Sequence, residues 1–156
     1  MSYSDIRERL MSGVKTAMKN KDSVTSTTLR SALSEVYAAD KTTASKATPS
    51  AIISILRKAA ARRNDSAAQF IKASRPDLAE KERREADILS AFLPPLLSES
   101  DIDRVLKEVL VEQSITGDPR KALGMVFKSF YSKVDKSSVD TDIVKKRAEA
   151  LLASKS

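Results

Sequence analysis

The sequence contains no cysteine and no histidine, and these two absences narrow the chemistry that the protein can perform. Without cysteine there can be no disulfide and no thiolate metal site. Without histidine, the usual general base and metal ligand is missing as well. No apolar run approaches the roughly 18–20 residues that cross a bilayer, so we expect no membrane insertion. The absences count against many hydrolases and metalloenzymes, and we expect no metal and no cofactor.

Glycine and aromatic residues are also scarce, with three glycines and 4% aromatics, whereas Ala, Leu, Lys, Arg and Ser are abundant. This composition favours helices over sheets, and apolar periodicity with helix end signals predicts an all-α protein of seven helices. The predicted helices begin near Ser4, Ser23, Pro49, Pro76, Ser98, Pro119 and Asp140. The first four are predicted to end near Asn20, Ala39, Ala73 and Pro94, and Gly117 to break the chain before the sixth.

The segment LPPLLSES, residues 93–100, is the predicted boundary between two groups of helices. Its two prolines remove backbone donors and stiffen the connection. We therefore expect an antiparallel four-helix N-terminal domain at 1–95 and a small three-helix C-terminal domain at 98–156.

The positive charge lies mainly in the first group. Of the net +7, the residues through Leu97 supply 17 Lys and Arg against 11 Asp and Glu. Such an excess suits a polyanion such as RNA, although a solvated basic face is an equally simple explanation. The candidate nucleic-acid-binding residues are Lys15, Lys19, Lys21, Arg57, Lys58, Arg62 and Lys72. Lys58 and Arg62 lie four apart on one helix face, so together they could straddle a phosphate.

Acidic residues interrupt the apolar face of the fourth predicted helix. Glu82 and Glu85 stand between Leu78 and Leu89, where core contacts are expected. The short KASRP connection predicts an antiparallel hairpin that brings Glu85 level with Arg63 of the third helix. We expect a partly buried Arg63–Glu85 ion pair, with Glu82 sharing Arg62, Arg63 or the Ser66 hydroxyl. The alternative is a carboxylate pair for acid–base chemistry, but a nearby arginine favours the charged carboxylate.

A longer pattern surrounds these residues. It comprises Arg63-Asn64-Asp65-Ser66, Phe70, Arg75, Asp77-Leu78-Ala79, Glu80-Lys81-Glu82, Glu85, Leu89 and Leu93-Pro94. The pattern resembles the YqeY (GatB/YqeY) family, whose members carry R-x-[DE]-S, an aromatic, R-x-D-L-A-x-K-E-x-x-E and a [YF]-[LM]-P stop. The upstream match comprises Lys15, Met18, Lys21-Asp22, Leu29-Arg30 and Leu33. The chain is most similar to fungal mitochondrial members, which implies a mitochondrial location, with the cytoplasm as the alternative; we expect any presequence to have been removed.

The resemblance implies a helical domain followed by a small three-helix domain. The same module forms the tail of the B subunit of the glutamine-dependent tRNA amidotransferase, where it contacts the tRNA body. Freestanding members are described as carbon–nitrogen ligases with glutamine as amide donor. One segment departs from the family: where many members have PKVKGRADG, this chain has SKVDKSSVDT, residues 132–141, without the glycines and the arginine. The departure weakens the expectation of RNA contact through the small domain.

Independent catalysis is not indicated by the residues present. Glutaminase chemistry needs an activated Cys or Ser nucleophile, and ATP-dependent activation needs a phosphate-cradling glycine loop or a carboxylate–Mg²⁺ site. The three glycines, Gly13, Gly117 and Gly124, are scattered. We therefore expect a non-catalytic module, related to the tail of the amidotransferase B subunit, that binds tRNA or has an accessory role. The alternatives are an adaptor that docks on amidotransferase subunits or another mitochondrial protein without RNA binding, and a freestanding amidotransferase.

Overall fold

The computed structural model describes residues 5–113 and 118–154, and within these ranges the chain forms seven α-helices, one 3₁₀ turn and no strand. The helices are α1 (Ile6–Lys19), α2 (Ser23–Thr42), α3 (Pro49–Lys72), α4 (Pro76–Ser90), α5 (Glu99–Glu112), α6 (Pro119–Lys133) and α7 (Thr141–Ala153). The 3₁₀ turn is Lys136–Ser138. The predicted all-α fold is confirmed. The start predicted near Ser4 and the break predicted at Gly117 lie outside the described residues.

The helix ends follow local chemistry. Thr48 accepts a hydrogen bond from the Ala51 amide at the start of α3, and Ser98 does the same for Asp101 in α5. The helix α4 ends at Ser90, four residues before the first residue of the Pro94-Pro95 pair. This distance has a physical cause, because Pro94 has no N–H to donate to the Ser90 carbonyl and its ring would clash there.

The chain divides into two compact units, with the boundary between Pro94 and Pro95. The first unit, up to Pro94, has a core to which all four of its helices contribute large side chains. They include Ile6, Leu10, Leu29, Val36, Ile52, Leu56 and Leu89. Its most extensive helix contact joins α3 and α4. Five buried alanines on these two helices permit a close approach: Ala59, Ala60, Ala67, Ala79 and Ala86. That the units are separate domains, at 1–95 and 98–156, stays a prediction.

The second unit, from Pro95, is built around Phe130, which is fully buried among Ile102, Leu106, Val126 and other apolar residues of α5–α7. Ion pairs at the surface connect α5 to α6 and α7. Arg147 of α7 donates two hydrogen bonds to Asp103 of α5, at 2.7 and 2.9 Å. Lys133 of α6 donates to Glu112 of α5 at 2.7 Å. Both links join a basic residue of α6 or α7 to an acid of α5.

In the first unit, Asp40 joins three segments of the chain. Its carboxylate accepts two hydrogen bonds from the Arg7 guanidinium, at 2.9 and 3.0 Å, and a third from the Ala47 amide at 2.6 Å. The Arg7 hydrogen bonds, followed by that of Ala47, hold the pKa of the Asp40 carboxyl below its ordinary value. The carboxylate thereby ties α1 to the end of α2 and to the connection that leads into α3.

We expect Asp40→Asn to be less stable than the natural protein at pH 7, and the difference to shrink on acidification. Because the folded-state pKa is lowered, this carboxylate stabilises the fold above its unfolded-state pKa of about 4 and loses its contribution as pH falls through the folded value. Urea unfolding at a series of pH values measures the difference. Asp65→Asn, which removes an exposed carboxylate without a hydrogen bond or ion pair in the described structure, should change stability little at pH 7. A difference that grows as pH falls would contradict the assignment.

Candidate nucleic-acid interface

Five of the seven predicted basic residues are exposed lysines. They are Lys15, Lys19, Lys21, Lys58 and Lys72. Lys15 and Lys19 lie one turn apart on α1, whereas Lys21 adopts a positive φ of 58° in the turn that leads to α2. None of the five ammonium groups makes an ion pair with another residue in the described part of the chain. These lysines are therefore free to meet an anion.

The two arginines of the predicted surface have partners instead. Arg57 is half-buried, and its Nη2 donates to the Pro94 carbonyl at 2.9 Å. Its burial lowers the pKa of the guanidinium from its ordinary value. Arg62 reaches across to α2, where its Nη2 lies 2.5 Å from Glu35 Oε1. Arg62 therefore already has an acidic partner, and the expectation that Lys58 and Arg62 straddle a phosphate stays a prediction.

The structure brings Arg63 and Glu85 together. The Nε atom of Arg63 lies 3.2 Å from Glu85 Oε2, and the two side chains are 17% and 19% exposed. Arg63 also donates through Nη1 to the Ala59 carbonyl at 3.1 Å. Glu85 has no other side-chain partner among the described residues. Loss of Arg63 would therefore leave the carboxylate unpaired, whereas loss of Glu85 would leave Arg63 with its hydrogen bond to Ala59.

Glu82 is not part of this ion pair. It is half-buried on the preceding turn of α4 and makes no ion pair or side-chain hydrogen bond within residues 5–113 and 118–154. The arginines that it was expected to share are taken by Glu35 and by Glu85 with Ala59. Within the same ranges, no group of three or more acidic residues could hold a metal ion, and no helix is long and apolar enough to cross a membrane.

The sequence analysis missed a groove between α6 and α7, with a volume of about 760 Å³. The half-buried rings of Phe127 and Tyr131 lie along it, and Lys128, Lys136 and Lys145 surround it. Burial raises the pKa of the Tyr131 hydroxyl. A usable signal was the interleaving of lysines and aromatics in FKSFYSK, residues 127–133. The residues from Ser98 onward have a net charge of only +1, because acids on α5 offset bases on α6 and α7. This small net charge gave no indication of a basic groove.

Fold and surface together define an all-α protein with basic surfaces. The family model described as Yqey-like protein matches residues 7–152. The chain belongs to this family, as the motif around Arg63 and Glu85 indicated.

Several named proteins are similar to this chain over most of its length. "Altered inheritance of mitochondria protein 41, mitochondrial" from Pyrenophora tritici-repentis is 29% identical over 94% of this chain and 81% of its own length. The protein of that name from Candida glabrata is 30% identical over 90% of this chain and 76% of its own. An uncharacterized protein from Schizosaccharomyces pombe is 35% identical over 57% of this chain and 69% of its own. The names of the first two support the mitochondrial location expected from the sequence.

Proposed function

We propose that this protein is a non-catalytic accessory module that binds RNA, with tRNA as the expected ligand, and that it acts with tRNA-dependent amidotransferase machinery. The observation that carries the proposal is the set of five unpaired lysines on α1, α3 and the turn after α1, on the unit that holds most of the positive charge. The absence of cysteine and histidine from the sequence supports a binding role over a catalytic one.

Lysines of this kind contact phosphates and position a nucleic acid without reading its sequence. Each neutralised phosphate releases counterions, so the logarithm of affinity should fall against the logarithm of salt by about 0.9 per contact on a duplex. RNA binding through these residues would therefore be strong at low salt and steeply salt-dependent. An adaptor that binds a protein surface mainly through apolar contacts would have no such slope with RNA.

We expect tRNA to bind the full chain at low salt, and Lys15→Glu/Lys19→Glu to weaken binding by more than about tenfold while reducing the salt slope by about 2. Fluorescence anisotropy of labelled tRNA across a salt series measures both quantities. Lys107→Glu/Lys146→Glu is the matched control, because it makes the same charge change at exposed positions of α5 and α7. It should weaken binding by less than about threefold, through net charge alone.

Three results would contradict the proposal. The first is no detectable tRNA binding at low salt. The second is an equal loss in the two double variants, which would indicate a diffuse effect of net charge. The third is glutamine-dependent amide formation by the isolated chain, which would make the protein an enzyme.

A further inference from the structure

The groove between α6 and α7 combines aromatic side chains with a group of lysines. Its apolar part is formed by Phe127 and Tyr131, whose ring planes are tilted by 36° and whose centroids lie 6.4 Å apart. Phe130 meets Tyr131 edge to face from the core, at 5.1 Å between centroids, and fixes the orientation of that ring. The Tyr131 hydroxyl makes no hydrogen bond with another described residue and can donate or accept one.

The charged part of the groove comes from three different segments. Lys128 belongs to α6, Lys145 to α7, and Lys136 to the 3₁₀ turn between them. The Lys136 ammonium group lies 5.1 Å from the centre of the Tyr131 ring. None of the three makes an ion pair within the described residues, whereas Lys133 and Arg147 on the same two helices are paired with acids of α5. Lys121 and Lys146 on the same two helices are also unpaired but do not line the groove, so they serve as controls for these three lysines.

We infer that this groove binds a nucleotide, with the three lysines on its phosphate and the rings of Phe127 and Tyr131 against its base. The groove is open to solvent, and its volume of about 760 Å³ lies within the range of small-molecule sites. Arrangements of aromatic rings and cations also bind single nucleotides of nucleic acids. Asp142 lines the same groove and offers an acceptor for a ribose hydroxyl. The nucleotide is either free or part of an RNA chain, and the chemistry of recognition is the same.

The inference is independent of the proposed function, which rests on lysines of the first unit. It also bears on the segment SKVDKSSVDT, which lacks the glycines of the family pattern and was therefore less expected to contact RNA. This segment contributes Lys136 to the groove.

The test is a titration of the full-length ¹⁵N-labelled chain with ATP, AMP, adenosine and tripolyphosphate, followed by NMR. We expect ATP to bind with a Kd below about 1 mM and to shift signals of residues that line the groove. Adenosine and tripolyphosphate, which carry only one of the two recognised groups, should each bind at least about tenfold more weakly.

Two adjacent lysines provide the matched control. Lys145 lines the groove, whereas its exposed neighbour Lys146 does not. Lys145→Glu should weaken ATP binding at least about tenfold, and Lys146→Glu by less than about threefold. Lys128→Glu and Lys121→Glu form a second pair of the same kind on α6. Lys15→Glu/Lys19→Glu should leave ATP binding unchanged, which separates a failure of this site from a failure of the RNA surface.

The same titration with a short oligoribonucleotide distinguishes the two sources. Saturation by ATP and AMP assigns the groove to free nucleotides. Binding of the oligonucleotide alone, lost in Lys145→Glu but kept in Lys15→Glu/Lys19→Glu, assigns it to a nucleotide within RNA. The inference is overturned if neither binds, if tripolyphosphate binds as tightly as ATP, or if Lys145→Glu and Lys146→Glu act equally. It is also overturned if an acidic peptide occupies the groove and nucleotides do not.

Discussion

Arg63→Leu should lower the free energy of unfolding by about 3 kcal/mol, whereas Glu85→Leu should lower it by less than about 1 kcal/mol. The first substitution leaves the half-buried Glu85 carboxylate without a partner. The second leaves Arg63 with its hydrogen bond to the Ala59 carbonyl and adds an apolar side chain to the α3–α4 contact. We place the larger loss at the low end of the usual range because both side chains keep some exposure to water. Urea unfolding of the two variants measures the difference.

Two further variants show whether the loss comes from a stranded charge. Arg62→Leu, at the adjacent position, breaks a pair whose side chains are 57% and 42% exposed, and should cost less than about 1 kcal/mol. Arg63→Leu/Glu85→Leu should recover most of the stability, because a well-packed apolar pair replaces a buried ion pair with little loss. Equal melting temperatures for the two single variants at Arg63 and Glu85 would refute this explanation.

Gly13→Leu should destabilise the protein by about 3 kcal/mol through overpacking. A Cβ atom at Gly13 would lie 2.9 Å from Leu29 Cδ1 and 2.9 Å from Phe92 Cζ, and Leu29 is fully buried. The missing side chain lets Phe92 pack beneath α1. The rest of a leucine side chain would have to displace this ring or open α1 from α2. Thermal and urea unfolding measure the loss.

The same substitution at Gly124 should have the opposite sign. This glycine is exposed in the interior of α6, and a Cβ atom there would meet no atom within 4 Å. Because glycine is a poor helix former, Gly124→Leu should raise the free energy of unfolding by about 0.5–1 kcal/mol. Destabilisation of similar size at both positions would contradict the assignment of the loss at Gly13 to the contact with Leu29 and Phe92.

Local signals in the sequence were sufficient for the helices but not for all of the core. Proline at the first position of α3, α4 and α6 and the caps at Thr48 and Ser98 act over a few residues, so they can be recognised without the fold. The buried face of α4 was harder to predict. Periodicity of large side chains placed Leu78 inward, but Leu78 is half-buried and its neighbour Ala79 is completely buried. Alanine carries too little hydrophobicity to mark a core position when two helices approach closely.

The candidate sites depend more on distant contacts. The hairpin turn predicted the register of Arg63 and Glu85, since only the length of KASRP had to be known. The partners of Arg57 and Arg62 lie 37 and 27 residues away, so no local pattern identifies them. The groove likewise requires α6, the 3₁₀ turn and α7 to converge. A count of charges along the chain could not reveal a surface on which acids and bases lie on different helices.

Gly124, on the exposed side of α6, is a suitable position for a spectroscopic probe. Because the natural chain has no cysteine, Gly124→Cys would introduce a single thiol at a position where no neighbouring atom obstructs an attached probe. A maleimide fluorophore or a nitroxide placed there would sit one helical turn from Lys128. The emission of the fluorophore or the line shape of the nitroxide would then report binding in the groove between α6 and α7, without background from other thiols.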